Sequence, residues 1–210
     1  MRPYIVRPGD HLTLIAHRLG LDVDTIWNDP KNADLKKLRG THHILCAGDV
    51  LYVPETPSPR HPLTTGALNT YVTDVPTVSL VLTFKQCGKP MASASCVVHG
   101  LPDATTMTTD GAGTLNLTVP VTVRELAVEF PDVPLIRHVS LGDLDPITEP
   151  SGVVQRLRNL RYLSYFTTIQ PSDTAGLKRV LSKFQEANGL PVTGTLDDPT
   201  RSALEQAHGC

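Results

Sequence analysis

Proline sets the first constraint on what this chain can fold into. Eighteen prolines are spread over 210 residues, and the run PETPSPRHP at 54–62 can continue neither a helix nor an interior strand. Each proline lacks a backbone donor and restricts the residue before it, so this stretch reads as a stiff, extended linker, assigned to 55–64. A second break, GDLDPITEPSG at 142–152, precedes a strongly helical pattern. The breaks predict pieces at 1–54, 65–145 and 150–210, each small enough to need a compact, simple fold. The fold class that follows is multi-domain α+β: a two-strand, two-helix unit, then a small antiparallel β-sandwich, then a three-helix bundle.

Charge and hydropathy narrow the partners. The composition, 40% hydrophobic and 19% charged, is that of a globular protein. A formal charge of -2 and a pI near 6.4 provide no basic field, so nucleic acid is not an expected partner. No run approaches the roughly 18 apolar residues of a membrane span, and membrane insertion is not expected. Met1, Arg2 and Pro3 lead straight into the strand-like YIV, with no apolar signal region. The expectation is a protein made in the cytoplasm, with any role outside depending on a specialised secretion system. Cys46, Cys87, Cys96 and Cys210 show no metal-like spacing and read as free thiols.

The first piece reads strand, helix, helix, strand. YIVRPGD is a strand ended by Pro8 and Gly9, and Asp10 is placed to cap a helix whose Leu12, Ile15, Ala16 and Leu19 recur at helical spacing. Gly20 stops that helix. DVDTIWND gives a second, with Asp22 as cap, and DVLYVP returns as a strand. In the connection between them, Asn32, Leu35, Lys36 and Leu38 suit an extra helical turn. Leu35 and Leu38 are expected to dock on the module, with Lys36, Lys37 and Arg39 solvated.

Tyr4, Val6, Gly9, Asp10, Leu12, Ile15 and Ala16, then Trp27 and Asn28, then Gly48, Asp49, Leu51, Val53 and Pro54, resemble the LysM family. That family reads Y-x-V-x-x-G-D-T-L-x-x-I-A, an asparagine, and P-G-D-x-L-x-I-P. The resemblance implies a βααβ fold that binds N-acetylglucosamine polymers, peptidoglycan or a chitin-like glycan. Its sugar groove would use Gly9, Asp10, His11 and Leu12 as one wall, with Trp27 and Asn28 nearby. Trp27 has two readings, a stacking face for a sugar ring or a core residue. His11 stands where the family has threonine or serine, and the connection DPKNADLKKLRGTHHILCA is longer than usual, replacing the second wall. This longer connection also resembles variant LysM modules found beside contractile injection machines. In that reading Asn32, Leu35, Arg39, His42 and His43 form a protein-contact surface.

The middle piece alternates. SLVLTF sets Leu80, Leu82 and Phe84 against Val81 and Thr83, and TLNLTV and ELAVEF follow the same period, separated by turns at CGKP, LPDA and DGAG. Six or seven short strands predict a small sandwich. Gly88, Pro90, Ala94, Thr109, Asp110, Gly113 and Leu115 resemble the hairpin and turn of transthyretin-like or carboxypeptidase-regulatory-like domains, which implies a spacer or docking role.

In the last piece Ser151 is placed to cap a helix with Val153, Val154, Leu157 and Leu160 on one stripe, extending to about Leu163. LKRVLSKFQEANGL puts Leu177, Val180, Leu181 and Phe184 at helical spacing, and a third helix opens with Asp198 as cap and Pro199. FQEANGLPVTGTLDDPTRSAL resembles the peptidoglycan-binding-like three-helix domain over 151–207. Arg161 replaces the usual glycine before Tyr162, and PSDTAG replaces the usual connection.

Catalytic and metal constellations are weak. His42, His43, Cys46 and Asp49 offer at most two good ligands where a structural zinc needs four, and adjacent histidines alternate direction in extended chain. Cys96 and His99 face opposite sides of one strand, so Cys96 reads as a core thiol. Asp143, Asp145 and Glu149 read as a solvated turn, and there is no HExxH, GxSxG or phosphate loop. No cofactor and no metal is expected. The leading expectation is a non-enzymatic binder of peptidoglycan with two wall-binding modules joined by a β spacer. Alternatives are a structural adaptor or cargo of a contractile injection (type VI-like) system, with spike or tube proteins as partners, and an accessory part of a cell-wall hydrolase.

Overall fold

The computed structural model describes residues 1–55, 62–164, 169 and 173–209. Most of the predicted linker, the first residues of the PSDTAG connection and Cys210 lie outside them. The chain forms two compact units, one built from Met1–Leu38 with Ala47–Asp143, the other from Arg39–Cys46 with the chain from Leu144 onward.

In the first unit β1 (Arg2–Ile5) pairs antiparallel with β2 (Val50–Val53), setting Tyr4 opposite Leu51. Between them run α1 (Leu12–Leu19), α2 (Val23–Trp27), a 3-10 turn at Pro30–Asn32 and α3 (Ala33–Arg39). Leu12, Ile15, Ile26, Leu51 and Val53 are fully enclosed, as the apolar spacing predicts. Asp22 caps α2 by accepting the Thr25 N–H at 2.9 Å. Asp10 does not cap α1: His11 occupies that position and its side chain makes no capping bond, while the Asp10 carboxylate turns inward. The extra helix exists but buries less than expected, since Leu35 is half-buried and Leu38 is 55% exposed.

Asn32 holds this region together. Its side chain donates to the Ile26 and Tyr52 carbonyls, each at 2.8 Å, and accepts the Tyr52 N–H at 2.7 Å. It thereby acts as a strand partner for β2, and of the residues expected to form a protein-contact surface it is the one wholly enclosed.

The β region of the first unit holds eight strands. β3 (Thr77–Thr83) pairs with β8 (Thr114–Pro120), β4 (Lys85–Gln86) with β5 (Lys89–Pro90), and β6 (Ser95–His99), β7 (Thr105–Thr108), β9 (Glu125–Phe130) and β10 (Leu135–Ser140) form a sheet in the order β10-β9-β6-β7. The register sets Leu80 opposite Leu117 and Leu82 opposite Leu115, so the apolar positions of β3 and β8 share one face. These residues share a core with Cys96, Val98, Leu126, Val128 and Phe130 of the four-stranded sheet, and Phe84 meets Phe130 edge-on at 5.0 Å. The Cys96 thiol donates to the Met107 carbonyl at 3.6 Å, and burial pushes its pKa up.

The second unit contains α4 (Pro150–Asn159), α5 (Thr174–Ala187) and α6 (Asp198–His208). Val153, Val154, Leu157, Val180, Leu181, Phe184 and Leu204 form its core. Two predicted caps move by one or two residues. Glu149, not Ser151, precedes α4, because Pro150 takes the first helical position where its missing N–H costs nothing. Asp197, not Asp198, caps α6, accepting the Thr200 N–H at 3.0 Å. Hydrogen bonds from Thr200 also hold the Asp197 carboxyl below the usual carboxylate range. Helix α4 ends before Leu163, and Arg161 there adopts φ 68°, a left-handed conformation that favours glycine.

Gln185 is the polar centre of this unit. Its amide nitrogen meets Thr193 Oγ1 at 2.9 Å, the Thr195 carbonyl at 3.0 Å and Thr200 Oγ1 at 2.8 Å, while its oxygen accepts the Gly194 N–H at 2.8 Å. The loop between α5 and α6 is thus folded around one side chain.

Candidate functional site

The wall predicted to contact sugar is largely internal. Gly9, Asp10 and Leu12 are buried, His11 is half-buried, and of the predicted set only Asn28 is exposed, where it accepts from Lys36 Nζ at 2.7 Å. Trp27 is 6% exposed and belongs to the core, which decides between its two readings against a stacking platform.

Asp10 organises a cluster that local pattern did not show. Its Oδ2 accepts the Tyr4 hydroxyl at 2.8 Å and the Arg7 backbone N–H at 3.1 Å, and its Oδ1 takes Arg18 Nη1 at 2.7 Å. Arg124 Nη2 lies 3.7 Å from the same oxygen, and its Nη1 donates to the Pro8 carbonyl at 3.3 Å. Gly9 sits at φ 77°, the left-handed region that favours glycine, and a Cβ there would push the Arg124 guanidinium aside. Burial, then the bond to Asp10, raises the pKa of Tyr4. Tyr4, Arg7, Arg18, Leu19 and Arg124 line a cleft of about 410 Å³ with Asp10 at its floor.

The other predicted contact residues are divided between the two units. Leu35 is a half-buried residue of α3 in the first. Arg39 was expected to be solvated, yet its side chain is 5% exposed and donates to Glu149 at 2.7 Å and to Thr148 Oγ1 at 3.1 Å. Glu149 is thereby tied to Arg39 while its own side chain stays 36% exposed. Asp145 pairs backbone and side chain with Gln155 at 2.7 Å and 3.4 Å. The His42 and His43 rings lie 4.0 Å apart; the chain bends here, so they do not alternate as they would in a strand. Among the described residues no group of three or more His, Cys, Asp or Glu is placed to hold a metal ion.

Arg39, Thr41, His43 and Ile44 form one side of a pocket of about 260 Å³ in the second unit. Pro146, Ile147, Thr148, Arg156 and Glu205 form the other. Its volume falls just below the usual range for ligand sites, about 300–1,000 Å³. Apolar surface from Ile44, Pro146 and Ile147 lies beside the hydroxyls of Thr41 and Thr148, the imidazole of His43 and the carboxylate of Glu205. Arg156, which sequence reading passed over, is fully buried and donates to the Asp145 and Gly152 carbonyls at 2.8 and 3.0 Å. It holds the turn before α4 against the helix, where Gly152 leaves no room for a Cβ beside the Asp145 and Pro146 carbonyls.

The family model described as "Putative peptidoglycan binding domain" matches residues 151–204. The matched span begins in α4 and ends in α6, so it takes in Gln185 and the loop folded around it. The match supports peptidoglycan binding, with a glycan partner, by the C-terminal helical domain. No curated protein and no solved structure matches the chain. Among the described residues no helix is long and apolar enough to cross a membrane.

Proposed function

We propose that the protein is a non-enzymatic peptidoglycan-binding protein whose C-terminal helical domain makes the principal contact and whose LysM-like N-terminal region supplies a second. The observation that carries this reading is the family match over 151–204, a span whose described residues include three helices packed on one core and the loop folded around Gln185. The pocket beside Ile44 and Ile147, in the same unit and lined mostly by residues flanking the matched span, is the contact we assign: apolar surface suits the face of a sugar ring, and Thr41, His43 and Glu205 suit its polar rim. Two weak contacts on one chain gain strength when both reach the same polymer, since the second binding event becomes intramolecular.

Sedimentation with insoluble peptidoglycan tests the reading. The full chain is expected in the pellet, and protein left entirely in the supernatant overturns the proposal. His43→Ala, at an exposed position on the pocket rim, is expected to lower retention severalfold without changing the thermal midpoint. Unchanged retention in that variant would move the contact off this pocket.

A further inference from the structure

We infer that the cleft over Asp10 in the first unit is a carboxylate-binding site, which on peptidoglycan would take the acidic peptide stems rather than the neutral sugar chain. The inference rests on the peptidoglycan reading above for its source of ligand, but the site is argued from its own chemistry.

Three guanidinium groups, Arg7, Arg18 and Arg124, line this cleft against one lining carboxylate, Asp10, and the Asp143 carboxylate lies at its edge beside Gly9, which leaves the cations in excess. The chain as a whole is acidic, with a formal charge of -2, so the cluster is a local surplus of cations rather than a sample of a basic surface. Asp10 does not cancel it. That carboxylate is wholly enclosed and already accepts from Tyr4, the Arg7 N–H and Arg18. It serves instead to fix Arg18 in place from behind, as a supporting charge does in a built anion site.

The cations remain open on their outer side. The side chains of Arg18 and Arg124 are 43% and 49% exposed, and Arg7 is exposed with no carboxylate paired to it among the described residues. A planar guanidinium anchored through one N–H and open through the others matches a carboxylate in bidentate geometry. The Tyr4 ring and Leu19 give the cleft an apolar wall, and about 410 Å³ is room for more than a bare ion. A ligand that combines a carboxylate with a small apolar group uses every part of this lining, as the alanyl and acidic residues of a peptide stem do. A neutral N-acetylglucosamine polymer would leave the cations unused.

Calorimetric titration of the full chain with muramyl dipeptide as the free acid, with its amidated form, and with chitotetraose tests the inference. The free acid is expected to bind at least about tenfold more tightly than the amide, and its advantage should shrink as salt rises. The double variant Arg7→Gln, Arg124→Gln should lower free-acid affinity about tenfold, in line with the loss of charge-assisted bonds. Arg7→Gln alone, at an exposed residue whose side chain does not hold Asp10, should give part of that loss and tests the same point if the double variant is unstable. Equal affinity for acid and amide, equal affinity of variant and wild type, or tighter binding of glycerol phosphate than of the free acid would each overturn the carboxylate assignment. The peptidoglycan reading fails by a different result, wild-type protein that does not sediment with peptidoglycan, so the two failures are separable.

Discussion

Asn32 in the first unit and Gln185 in the second are both fully buried amides, and each organises the irregular chain around it. They do so with different partners. Every bond of Asn32 goes to backbone, the Ile26 carbonyl and both polar groups of Tyr52. Gln185 divides its bonds between the backbone of Gly194 and Thr195 and the hydroxyls of Thr193 and Thr200. The first arrangement is indifferent to which side chains stand at the partner positions. The second depends on two threonines, so the loop it holds is specified by side-chain identity as well as by length.

Breaking the hubs should give the largest effects. Gln185→Leu leaves the Gly194 N–H and the Thr200 hydroxyl without that partner in an enclosed site and frees the loop at Thr193 and Thr195, and is expected to cost about 3–4 kcal/mol in denaturant unfolding of the second unit. Asn32→Leu removes three bonds rather than four contacts, some of them nearer solvent, and is expected to cost about 2–3 kcal/mol. A larger loss for Asn32 would reverse the ranking and show that strand mimicry outweighs the threonine network.

The partner positions sharpen the contrast. Thr200→Val keeps the shape of a fully buried side chain and deletes one hydroxyl that meets Gln185 at 2.8 Å, with an expected loss of about 1–2 kcal/mol. Tyr52→Phe keeps the backbone that Asn32 uses and should change stability by less than about 0.5 kcal/mol. Comparable losses at the two positions, measured by the same denaturant midpoints, would remove the distinction between backbone and side-chain anchoring.

What could be read from the sequence follows the range of the interactions. Alternation along β3 and β8 and the apolar stripes of α4 and α5 are set by neighbours within a few residues, and the structure keeps them. Polar residues were harder to place. Asp10 has the local pattern of a cap, but its buried carboxylate answers to Tyr4, Arg18 and Arg124. Arg39 sits among lysines and reads as solvated, yet its partner Glu149 is 110 residues away. Asn32 lies in a charged connection, and only the return of β2 beside it reveals why it is buried. A lone polar residue carries no periodic signal, so the features that shape both clefts were the least visible ones.

The two units also end helices with the same motif and different residues. After α1, the Leu21 N–H bonds the Ala16 carbonyl at 2.9 Å and the Gly20 N–H bonds the His17 carbonyl at 3.2 Å, with Gly20 at φ 64°. After α4, the Tyr162 N–H bonds the Leu157 carbonyl at 2.9 Å and the Arg161 N–H bonds the Arg158 carbonyl at 3.0 Å, with Arg161 at φ 68°. Both are Schellman closures, which place a left-handed residue just past the helix. Glycine takes that conformation freely, whereas a side chain there costs about 1 kcal/mol. Exchanging the residues isolates this cost from the surrounding fold. Gly20→Arg, at a position with open space around it, is expected to destabilise the first unit by about 1 kcal/mol. Arg161→Gly should gain about 0.5 kcal/mol in the second, the relief of backbone strain less the contacts of the deleted side chain. A loss on Arg161→Gly would mean that those contacts outweigh the backbone preference, and that this helix end is held by its arginine rather than in spite of it.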